Sequence, residues 1–469
     1  MACLDHEMVR PGESDMGVTE RFASWIASTR FEDIPAEGVA IVKRSLLDWI
    51  GCALVGTTRP AARIIADYTR EQGGTPQARL IATDIRTTSI NAAFANGVVG
   101  HLEDFDDSGA HPASYLTPAV LALGEELRLP GKQVVSAWAV GHEISARIGA
   151  GLHPDRAFHT TAIYGTMGAA AAASKLMALD AHRTRMALGI AASEAAGVMR
   201  NFGTMTKAFH PGNAARSGVV AVKLAARGYL ADPDIIEARY GYADCFGGET
   251  CSLPAMTQSL GEASLLVTKP PAIKAWPTCS SNHQSLTAIF ELRQRHAIRP
   301  EDIERVEHYG PIAPGTGSLQ RWEARNGLEG KFCLEYNIAA AFIDGKVDLA
   351  TFTDEHVRRG DLQAFMKKVH RFQDPEAALH SARTREGLDA ARLRVLMKDG
   401  TLHDIKLGPR LTLKGEAVIE KFRGNASLVL DTKAVERVVS LVQGLEGLAG
   451  IGDLLDVICG GERRYPPCS

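Results

Sequence analysis

The stretch GTMGAAAAASKLMALD, at residues 165–180, is the most informative part of the chain for its fold. Two nearby stretches, HRTRMALGIAASEAAGVMR at 182–200 and NAARSGVVAVKLAARG at 213–228, are equally rich in alanine. Helices with such small side chains can approach one another closely, so the three segments predict a tightly packed helical bundle at the centre of the molecule. Charged residues interrupt every run, which argues against membrane-spanning helices.

The helical pattern extends outward on both sides of this centre. Apolar residues recur at three- and four-residue intervals in ERFASWIASTRF (20–31), AEGVAIVKRSLLDWIGCALVG (36–56) and PAARIIADYTREQG (60–73). Pro35 and Pro60 stand where helices would begin. Near the end of the chain, TKAVERVVSLVQGL (432–445) is again helical in pattern. We expect this tail to pack back on the first domain.

The character of the sequence changes near residue 267. VTKPPAIKAWPTCSS (267–281) holds three prolines, which suits a domain boundary. IERVEHYGP (303–311) alternates like a strand, and RLRVLMKDGTLHDIKL (392–407) has the hairpin signal KDGT at its centre. The sequence predicts a mainly α fold with two domains. A large helical domain would comprise residues 1–267, completed by 411–469, and a smaller α+β domain residues 268–410.

Composition narrows the possible functions. The chain has 469 residues with a formal net charge of -3, so there is no whole-chain attraction for nucleic acid or an anionic membrane. Its N-terminal residues lack the basic start and apolar core of a signal peptide, and we expect a cytoplasmic protein. No two of the eight cysteines have C-x-x-C spacing, which gives no support to zinc-ribbon or thioredoxin chemistry.

The segment HLEDFDDSGAHPAS (101–114) concentrates charge. Glu103, Asp104, Asp106 and Asp107 lie between two histidines, His101 and His111, and such donors suit hard or borderline metal ions. The alternative is an acidic helix cap with histidines on the surface, because acids and turn residues cluster at helix ends.

Two further segments offer cationic or proton-carrying side chains. In RAFHTTAIYGTMGAA (156–170), His159 stands before a predicted helix and could bind a carboxylate or move a proton, although a single histidine is often structural. In GTMTKAFHPGN (203–213), Lys207 could hold a carboxylate, and the alternative is a solvated loop between helices. Neither phosphate-loop nor dinucleotide-binding spacing is present.

The segment KPPAIKAWPTCSSNHQSLTAI (269–289) supplies Lys274 and His283. Cys279 precedes His283 by four residues, but no third orienting group accompanies them, so we interpret Cys279 as structural. Together, the segments suit a polycarboxylate substrate, with cations that hold carboxylates and a base for a carbon-bound proton.

Five segments, in this order, resemble the MmgE/PrpD family, which includes 2-methylcitrate dehydratase, cis-aconitate decarboxylase and iminodisuccinate epimerase. They are HLEDFDDSGAHPAS (101–114), AFHTTAIYGTMGAAAAASKLMALD (157–180), GTMTKAFHPGNAARSGVVAVKLAARG (203–228), KAWPTCSSNHQSLTAI (274–289) and KFCLEYNIAAAFIDGKV (331–347). The resemblance implies a large helical domain built from both chain ends, a smaller α+β lid, a homodimer, and an active site between the domains without metal or organic cofactor.

The resemblance also implies the site residues. Asp104, His111, His159 and Lys207 would be catalytic, and a second group would bind substrate: Lys274, His283, Tyr336, Ser108 and Met205. The chain departs from the family pattern after DFDD, where Ser108 stands in place of a frequent threonine and only SGA separates Asp107 from His111. That loop would influence the choice of substrate.

These features predict a cofactor-independent lyase acting on a small di- or tricarboxylate. We expect a dehydration of the 2-methylcitrate type, with cis-aconitate decarboxylation and iminodisuccinate epimerisation as alternatives that the same residues could serve. Outside the family, a metal-dependent hydrolase built on residues 101–111, or a carboxylate-binding protein without catalysis, would be the alternatives.

Overall fold

The computed structural model describes residues 16–154, 157–378 and 391–460. Nine long helices form the first part: α1 (Val18–Ser28), α2 (Ala36–Gly56), α3 (Pro60–Gln72), α4 (Ser89–Gly100), α5 (Pro112–Glu126), α6 (Gly131–Gly151), α7 (Thr160–Leu176), α8 (Ala181–Glu194) and α9 (Thr206–Ala225). Short helices follow: α10 (Tyr242–Phe246), α11 (Leu253–Thr257) and α12 (Leu265–Thr268).

The later part alternates helices with strands. Its helices are α13 (His283–Arg295), α14 (Gly327–Gly330), α15 (Leu334–Ile343), α16 (Asp354–Val357), α17 (Gly360–Met366), α18 (Glu416–Ala426), α19 (Thr432–Gln443) and α20 (Gly452–Gly460). The strands are β1 (Ala78–Arg79), β2 (Arg86–Thr87), β3 (Asp107–Ser108), β4 (Ala272–Lys274), β5 (Ile303–Gly310), β6 (Val369–Gln373), β7 (Arg392–Met397), β8 (Leu402–Lys406) and β9 (Thr412–Leu413).

The alanine-rich helices cross at backbone contact. A Cβ atom added to Gly218 on α9 would lie 2.5 Å from the backbone of Ala169 on α7. On α6, a Cβ atom at Gly141 would lie 2.7 Å from the carbonyl oxygen of Gly168 on α7. No real Cβ fits at such distances, so only glycine lets these helices approach so closely. The small residues therefore allow the close helix packing that the sequence predicted.

One helical prediction extends too far. The alanine-rich run at 182–200 ends as a helix at Glu194, and the chain then turns through Gly197 at φ +148. This extended turn lets the amide of His159 donate to the carbonyl of Gly197 over 3.0 Å, and Phe158 forms a β-bridge with Val198. The tertiary pairing therefore replaces the helix that local propensity favoured.

The C-terminal helices pack on α2. Phe422 on α18 lies against Gly51, and the core that contains Leu46 and Trp49 also contains Val438 and Leu454. Because both chain ends build one apolar core, we propose the division into a helical domain of 1–267 with 411–469 and a domain of 268–410. The parts of these ranges at 1–15, 155–156, 379–390 and 461–469 lie outside the described residues.

A four-stranded sheet forms the centre of the smaller part, in the order β6-β5-β7-β8. The hairpin predicted at KDGT joins β7 to β8, and β5 pairs in parallel with β6. Helices α13, α15 and α17 cover the sheet, where Leu286, Phe342 and Leu362 share a core with Leu393 and Val395. The prediction of a mainly α fold with a smaller α+β part is confirmed.

A second, three-stranded sheet ties the two parts together. Strand β3 pairs antiparallel with β4, and β4 pairs with β9. The register sets Asp107 opposite Ile273 and Lys274 opposite Thr412. This pairing brings the acidic segment and Lys274 to one place, which the sequence spacing could not reveal. Within the described residues, no helix has the length and apolar character needed to cross a bilayer.

Candidate active site

The acidic segment forms a buried loop between α4 and α5. Asp104 and His111 have left-handed backbone conformations, with φ of 48° and 55°, which turn the chain sharply between the two helices. Asp107 Oδ2 accepts a hydrogen bond of 3.0 Å from the amide of Ala113 in the first turn of α5. The fractional exposures of His101, Asp104 and Asp106 are 2%, 3% and 0%, so the alternative of a surface cap is wrong.

Asp104 lies between two lysines that come from distant segments. Its Oδ1 atom accepts hydrogen bonds from Lys207 Nζ at 2.9 Å and from Lys274 Nζ at 2.8 Å. Lys274 also donates to the backbone oxygen of Asp104. Burial alone would raise the pKa of Asp104, but the charges of Lys207 and Lys274 outweigh it and hold that pKa well below its usual range. The structure therefore places one anion in direct contact with two cations.

Asp106 orients two histidines. Its carboxylate lies 2.9 Å from His101 Nδ1 and 3.1 Å from His111 Nδ1, and it accepts a hydrogen bond of 2.7 Å from Ser114 Oγ. A carboxylate can only accept, so both Nδ1 atoms carry protons when Asp106 is ionised. His101 Nε2 then accepts from Lys207 Nζ over 2.6 Å. His111 Nε2 keeps its lone pair and lies 3.9 Å from Asp104 Oδ1.

The electrostatic environment keeps His111 neutral. Burial lowers the pKa of His111 to about 3, and the nearby charges of Lys274 and Lys207 act in the same direction, against the opposing effect of Asp106. The pKa of Asp107 is shifted in the other direction, because burial and the charge of Asp106 raise it well above the usual range. The site thus holds a neutral imidazole beside ionised Asp104 and Asp106, an arrangement suited to proton transfer.

His159 lies at the start of α7 and faces the same cluster. Its ring centroid is 6.3 Å from that of His111, and its Nδ1 lies 2.9 Å from His210 Nδ1. Burial lowers the pKa of His159 well below 6.5, and that of His210 to about 4. Phe202 packs against the His159 ring with the centroids 4.8 Å apart. A histidine pair and an aromatic wall therefore border the lysine and aspartate group.

The remaining predicted residues lie at different distances from this cluster. His283 is buried at the start of α13, beside Trp276, and burial followed by the charge of Lys274 lowers its pKa to about 3. Ser108 is buried in β3, where its backbone pairs with Ala272. Both border the site without a hydrogen bond to Asp104 or the lysines among the contacts described.

Tyr336 and Met205 are not brought into the cluster. The Tyr336 hydroxyl donates to the carbonyl of Thr351 and contacts His356 Nδ1 at 2.8 Å, within the core of the smaller part. Met205 precedes α9 and is 44% exposed. Helix periodicity explains why Met205 lies outside the cluster, because Met205 and Lys207 are two residues apart and face different directions.

Three site residues lay outside the predicted catalytic set. His101 and Asp106 lie in the acidic segment, but spacing alone does not reveal which acid faces which histidine. His210 follows Lys207 by three residues on α9. Residues three apart share a helix face, so this spacing was a usable signal that His210 belongs to the site.

The four residues considered for metal binding do come together. Ligand atoms of His101, Asp104, Asp106 and His111 lie within 4.8 Å of one another. However, Lys207 and Lys274 already direct two ammonium groups at the Asp104 oxygen. Two positive charges at this distance oppose a further cation, so the donor set does not fit a resident metal ion. The geometry favours an anionic ligand instead.

Residues 20–252 match the MmgE/PrpD N-terminal domain, and residues 276–446 match the MmgE/PrpD C-terminal domain. The chain belongs to the MmgE/PrpD family. Human cis-aconitate decarboxylase is 29% identical over 468 residues, which cover 94% of this chain and 95% of the relative. The cis-aconitate decarboxylase of Aspergillus terreus strain NIH 2624 is 27% identical, with 94% and 96% covered. The 2-methylcitrate dehydratase of Salmonella typhimurium is 21% identical over 84% of this chain and 87% of the relative.

The relatives named are lyases, and this MmgE/PrpD chain is a lyase. The expectation of a lyase is thereby confirmed. The decarboxylases match over more of the chain, and at higher identity, than the dehydratase does. The similarities therefore support the decarboxylase alternative better than the dehydration that we expected within the family.

Proposed function

We propose that the enzyme is a carboxy-lyase that acts on an unsaturated tricarboxylate of the cis-aconitate class. The observation that carries this proposal is the convergence of Lys207 and Lys274 on one carboxylate oxygen, beside neutral His111. The relatives in human and in Aspergillus terreus support the same chemistry.

The two lysines account for substrate binding. Each ammonium has three donors. Lys207 uses two of them on Asp104 Oδ1 and His101 Nε2, and Lys274 uses two on Asp104 Oδ1 and the Asp104 backbone oxygen, so each keeps one for a ligand. A substrate carboxylate placed near them meets a pair of positive charges that Asp104 contacts directly and that Asp106 also partly offsets. Because both lysines are buried, water screens this attraction weakly. A polycarboxylate therefore gains more from the site than a monocarboxylate.

The same charges assist the bond cleavage. In an unsaturated tricarboxylate, the C–C bond to the allylic carboxylate breaks and carbon dioxide leaves. The electron pair moves through the double bond toward the carbon next to another carboxylate. Lys207 and Lys274 stabilise the negative charge that develops there, and preorganised cations of this kind contribute strongly in a buried site. No electron acceptor is required, because the electron pair ends in a new C–H bond.

The proton for that bond would come from a histidine. In the ligand-free protein, His111 and His159 are neutral, since burial and the lysines lower their pKa values. A bound tricarboxylate brings negative charge and raises those pKa values, so an imidazolium can form once the substrate is present. The reaction thus acquires its acid when it is needed, and no cofactor enters this scheme.

Proton NMR of the chelator-treated enzyme in heavy water tests the proposal. The substrates are cis-aconitate, 2-methylcitrate, citrate and iminodisuccinate, each incubated separately. We expect cis-aconitate to lose carbon dioxide and the product to carry one deuterium at the newly protonated carbon. Loss of water from 2-methylcitrate, or inverted iminodisuccinate, without decarboxylation would overturn the proposal in favour of a sister activity. Activity lost on chelation and regained with metal would overturn the cofactor-free scheme.

Assembly and location belong to the same proposal. The family resemblance supports a homodimer, and the composition supports a cytoplasmic enzyme. Sedimentation velocity across a range of protein concentrations tests the first point. A single species at the mass of one 50.3 kDa chain would contradict the dimer.

A further inference from the structure

Two histidines of the site use the same ring nitrogen for different partners. His111 Nδ1 lies 3.1 Å from the Asp106 carboxylate, whereas His159 Nδ1 lies 2.9 Å from the His210 imidazole. The two ring centroids are 6.3 Å apart. One histidine therefore has an anionic orienting group and the other a neutral one, although the two rings are near neighbours.

We propose that His210 is a positioning residue that makes His159, rather than His111, the proton donor of the reaction. This inference rests on the proposed function in requiring a proton transfer to carbon. It goes further, because it chooses the proton donor from two histidines and names the residue that makes them differ.

The assignment follows from where the protons can lie. If His210 Nδ1 accepts, His159 carries a proton on Nδ1 and presents Nε2 for a second, mobile proton. An imidazolium backed by a carboxylate, as His111 is by Asp106, is strongly stabilised and gives up its proton reluctantly. An imidazolium backed by a neutral imidazole is less stabilised and is the stronger acid. The different environments of the two histidines therefore identify His159 as the acid.

The surroundings of His159 reinforce this role. The titratable groups that face it are Lys207 and His210 from α9, together with His111 and His101 from the acidic segment. Each of them disfavours the protonated form of His159, as burial does. A proton that His159 takes up when the substrate binds is therefore released readily to carbon.

The contact between His159 and His210 is held from both sides. His210 is 5% exposed and lies one turn after Lys207 on α9. Gly197 packs on its ring, since a Cβ there would lie 3.3 Å from it, and the same glycine accepts the amide hydrogen bond of His159. The imidazole pair thus has a fixed geometry rather than a chance contact.

Three substitutions at His210 test the proposal through the pH profile of kcat. The alkaline limb reports loss of the proton from His159 in the substrate complex. His210→Gln keeps an acceptor and should leave this limb in place. His210→Phe removes the acceptor for the Nδ1 proton of His159. We therefore expect kcat to fall roughly 100-fold and the alkaline limb to move to lower pH. His210→Asp supplies an anion, so the limb should move about one unit or more to higher pH.

His142→Gln is the matched control. His142 is a buried histidine on α6, stacked on Trp138, and burial is what lowers its pKa, so its replacement should leave the limb unmoved. If all three His210 variants lower kcat and the melting temperature without moving the limb, His210 has only a structural role and the proposal fails.

A second readout does not depend on turnover. Two-bond ¹H–¹⁵N spectra of ¹⁵N-histidine enzyme assign the tautomers, with His159→Gln and His210→Gln used for peak identification. We expect a protonated Nδ1 on His159 and an unprotonated Nδ1 on His210 in the wild type. The reverse pattern overturns the inference. If the enzyme instead dehydrates 2-methylcitrate, the proposed function fails, while the tautomers and the pH limb still decide the role of His210.

Discussion

Lys207 on α9 and Lys274 on β4 donate hydrogen bonds to the same atom, Asp104 Oδ1, over 2.9 and 2.8 Å. Two ammonium groups so close together repel each other in the absence of an anion. Asp104 relieves this repulsion in the ligand-free protein, and a substrate carboxylate would add to its effect. The site is thus organised for negative charge before any ligand arrives.

We predict that Lys207→Met lowers kcat/KM by roughly 100- to 1,000-fold, because one of two charges that stabilise the transition state is lost. Asp104 keeps Lys274 as a partner, so the loss of folding free energy should stay below the roughly 3–5 kcal/mol expected for an unpaired buried charge. Steady-state kinetics and thermal melts measure both effects.

The control for Lys207 lies on the same helix. Lys223 on α9 pairs with Glu126 away from the cluster, and Lys223→Met should keep kcat/KM within about threefold of the wild type. Equal activity of the two variants would contradict a role for Lys207 in the reaction.

A second prediction concerns the helix crossings. Gly218→Ala should destabilise the protein by about 3 kcal/mol or more, because its Cβ would lie 2.5 Å from the backbone of Ala169. Gly424→Ala, on α18, meets no atom within 4 Å and should be neutral or stabilise by about 0.5–1 kcal/mol. Urea unfolding monitored by circular dichroism compares the two. Similar midpoints for both variants would show that α7 and α9 are not in backbone contact.

The third prediction concerns a buried ion pair beside the site. Lys331 Nζ donates to Glu103 Oε2 at 3.1 Å, to the Glu103 carbonyl and to the Pro277 carbonyl, which joins the smaller part of the chain to the acidic loop. Lys331→Met should destabilise by about 3 kcal/mol, because Glu103 then keeps only Arg59 as a charged partner.

Adding Glu103→Gln to Lys331→Met should restore part of the lost stability, since it removes a buried anion that has lost one of its two charged partners. Lys346→Met serves as the surface control, because the Lys346–Asp348 pair is 67% and 44% exposed and should contribute less than about 1 kcal/mol. Equal losses of unfolding free energy for Lys331→Met and Lys346→Met in urea unfolding would contradict the stabilising role of the buried Lys331–Glu103 pair.

The fourth prediction concerns acid stability. Burial lowers the pKa of His142 from 6.5 to about 4 in the folded protein. Above pH 6.5 this histidine is neutral in both states, but as the pH falls from 6.5 toward 4 the unfolded chain takes up the proton and the folded protein does not. Within this window the protonation of His142 in the unfolded chain lowers the free energy of unfolding by up to about 1.4 kcal/mol for each unit that the pH falls.

His142→Phe, which keeps a ring against Trp138, should therefore flatten the loss of stability between pH 6 and pH 4.5 by about that slope. Urea unfolding of the wild type and His142→Phe at half-unit pH intervals measures this slope. The reference is pH 7.5, where His142 is neutral in both the folded and the unfolded state. Parallel curves for the two proteins over the window would refute the buried, neutral state of His142.

Some features of the fold were predictable because they depend on local pattern. The helix at Ala36–Gly56 has the predicted bounds, and the KDGT turn joins β7 to β8 as its sequence indicates. Parallel β6 was not predicted, because Val369–Gln373 gains its partner β5 only through long-range pairing. The helix predicted through residue 200 ends at Glu194 for a similar reason, since Phe158 pairs with Val198.

For the site, sequence patterns identified the segments but not the contacts. Asp104, Lys207 and Lys274 were selected, and the structure brings them to one oxygen atom. His210 was given no role, although its spacing from Lys207 places both on one helix face, and Asp106 was considered only as a metal donor. Their hydrogen-bond partners across the cluster could not be read from the spacing of residues. Tyr336 was selected by motif alone, and its hydroxyl belongs to a different part of the core.

The sequence by itself determined the class of the molecule. Alanine-rich helices, an alternating strand and five ordered motifs were enough for the fold class and the family, because local periodicity and residue size are properties of the chain itself. Only the tertiary structure decided the protonation states. Whether Asp104 is ionised, His111 neutral, or His159 paired with His210 depends on burial and on charges from distant segments, and electrostatic energy is set by distances in space.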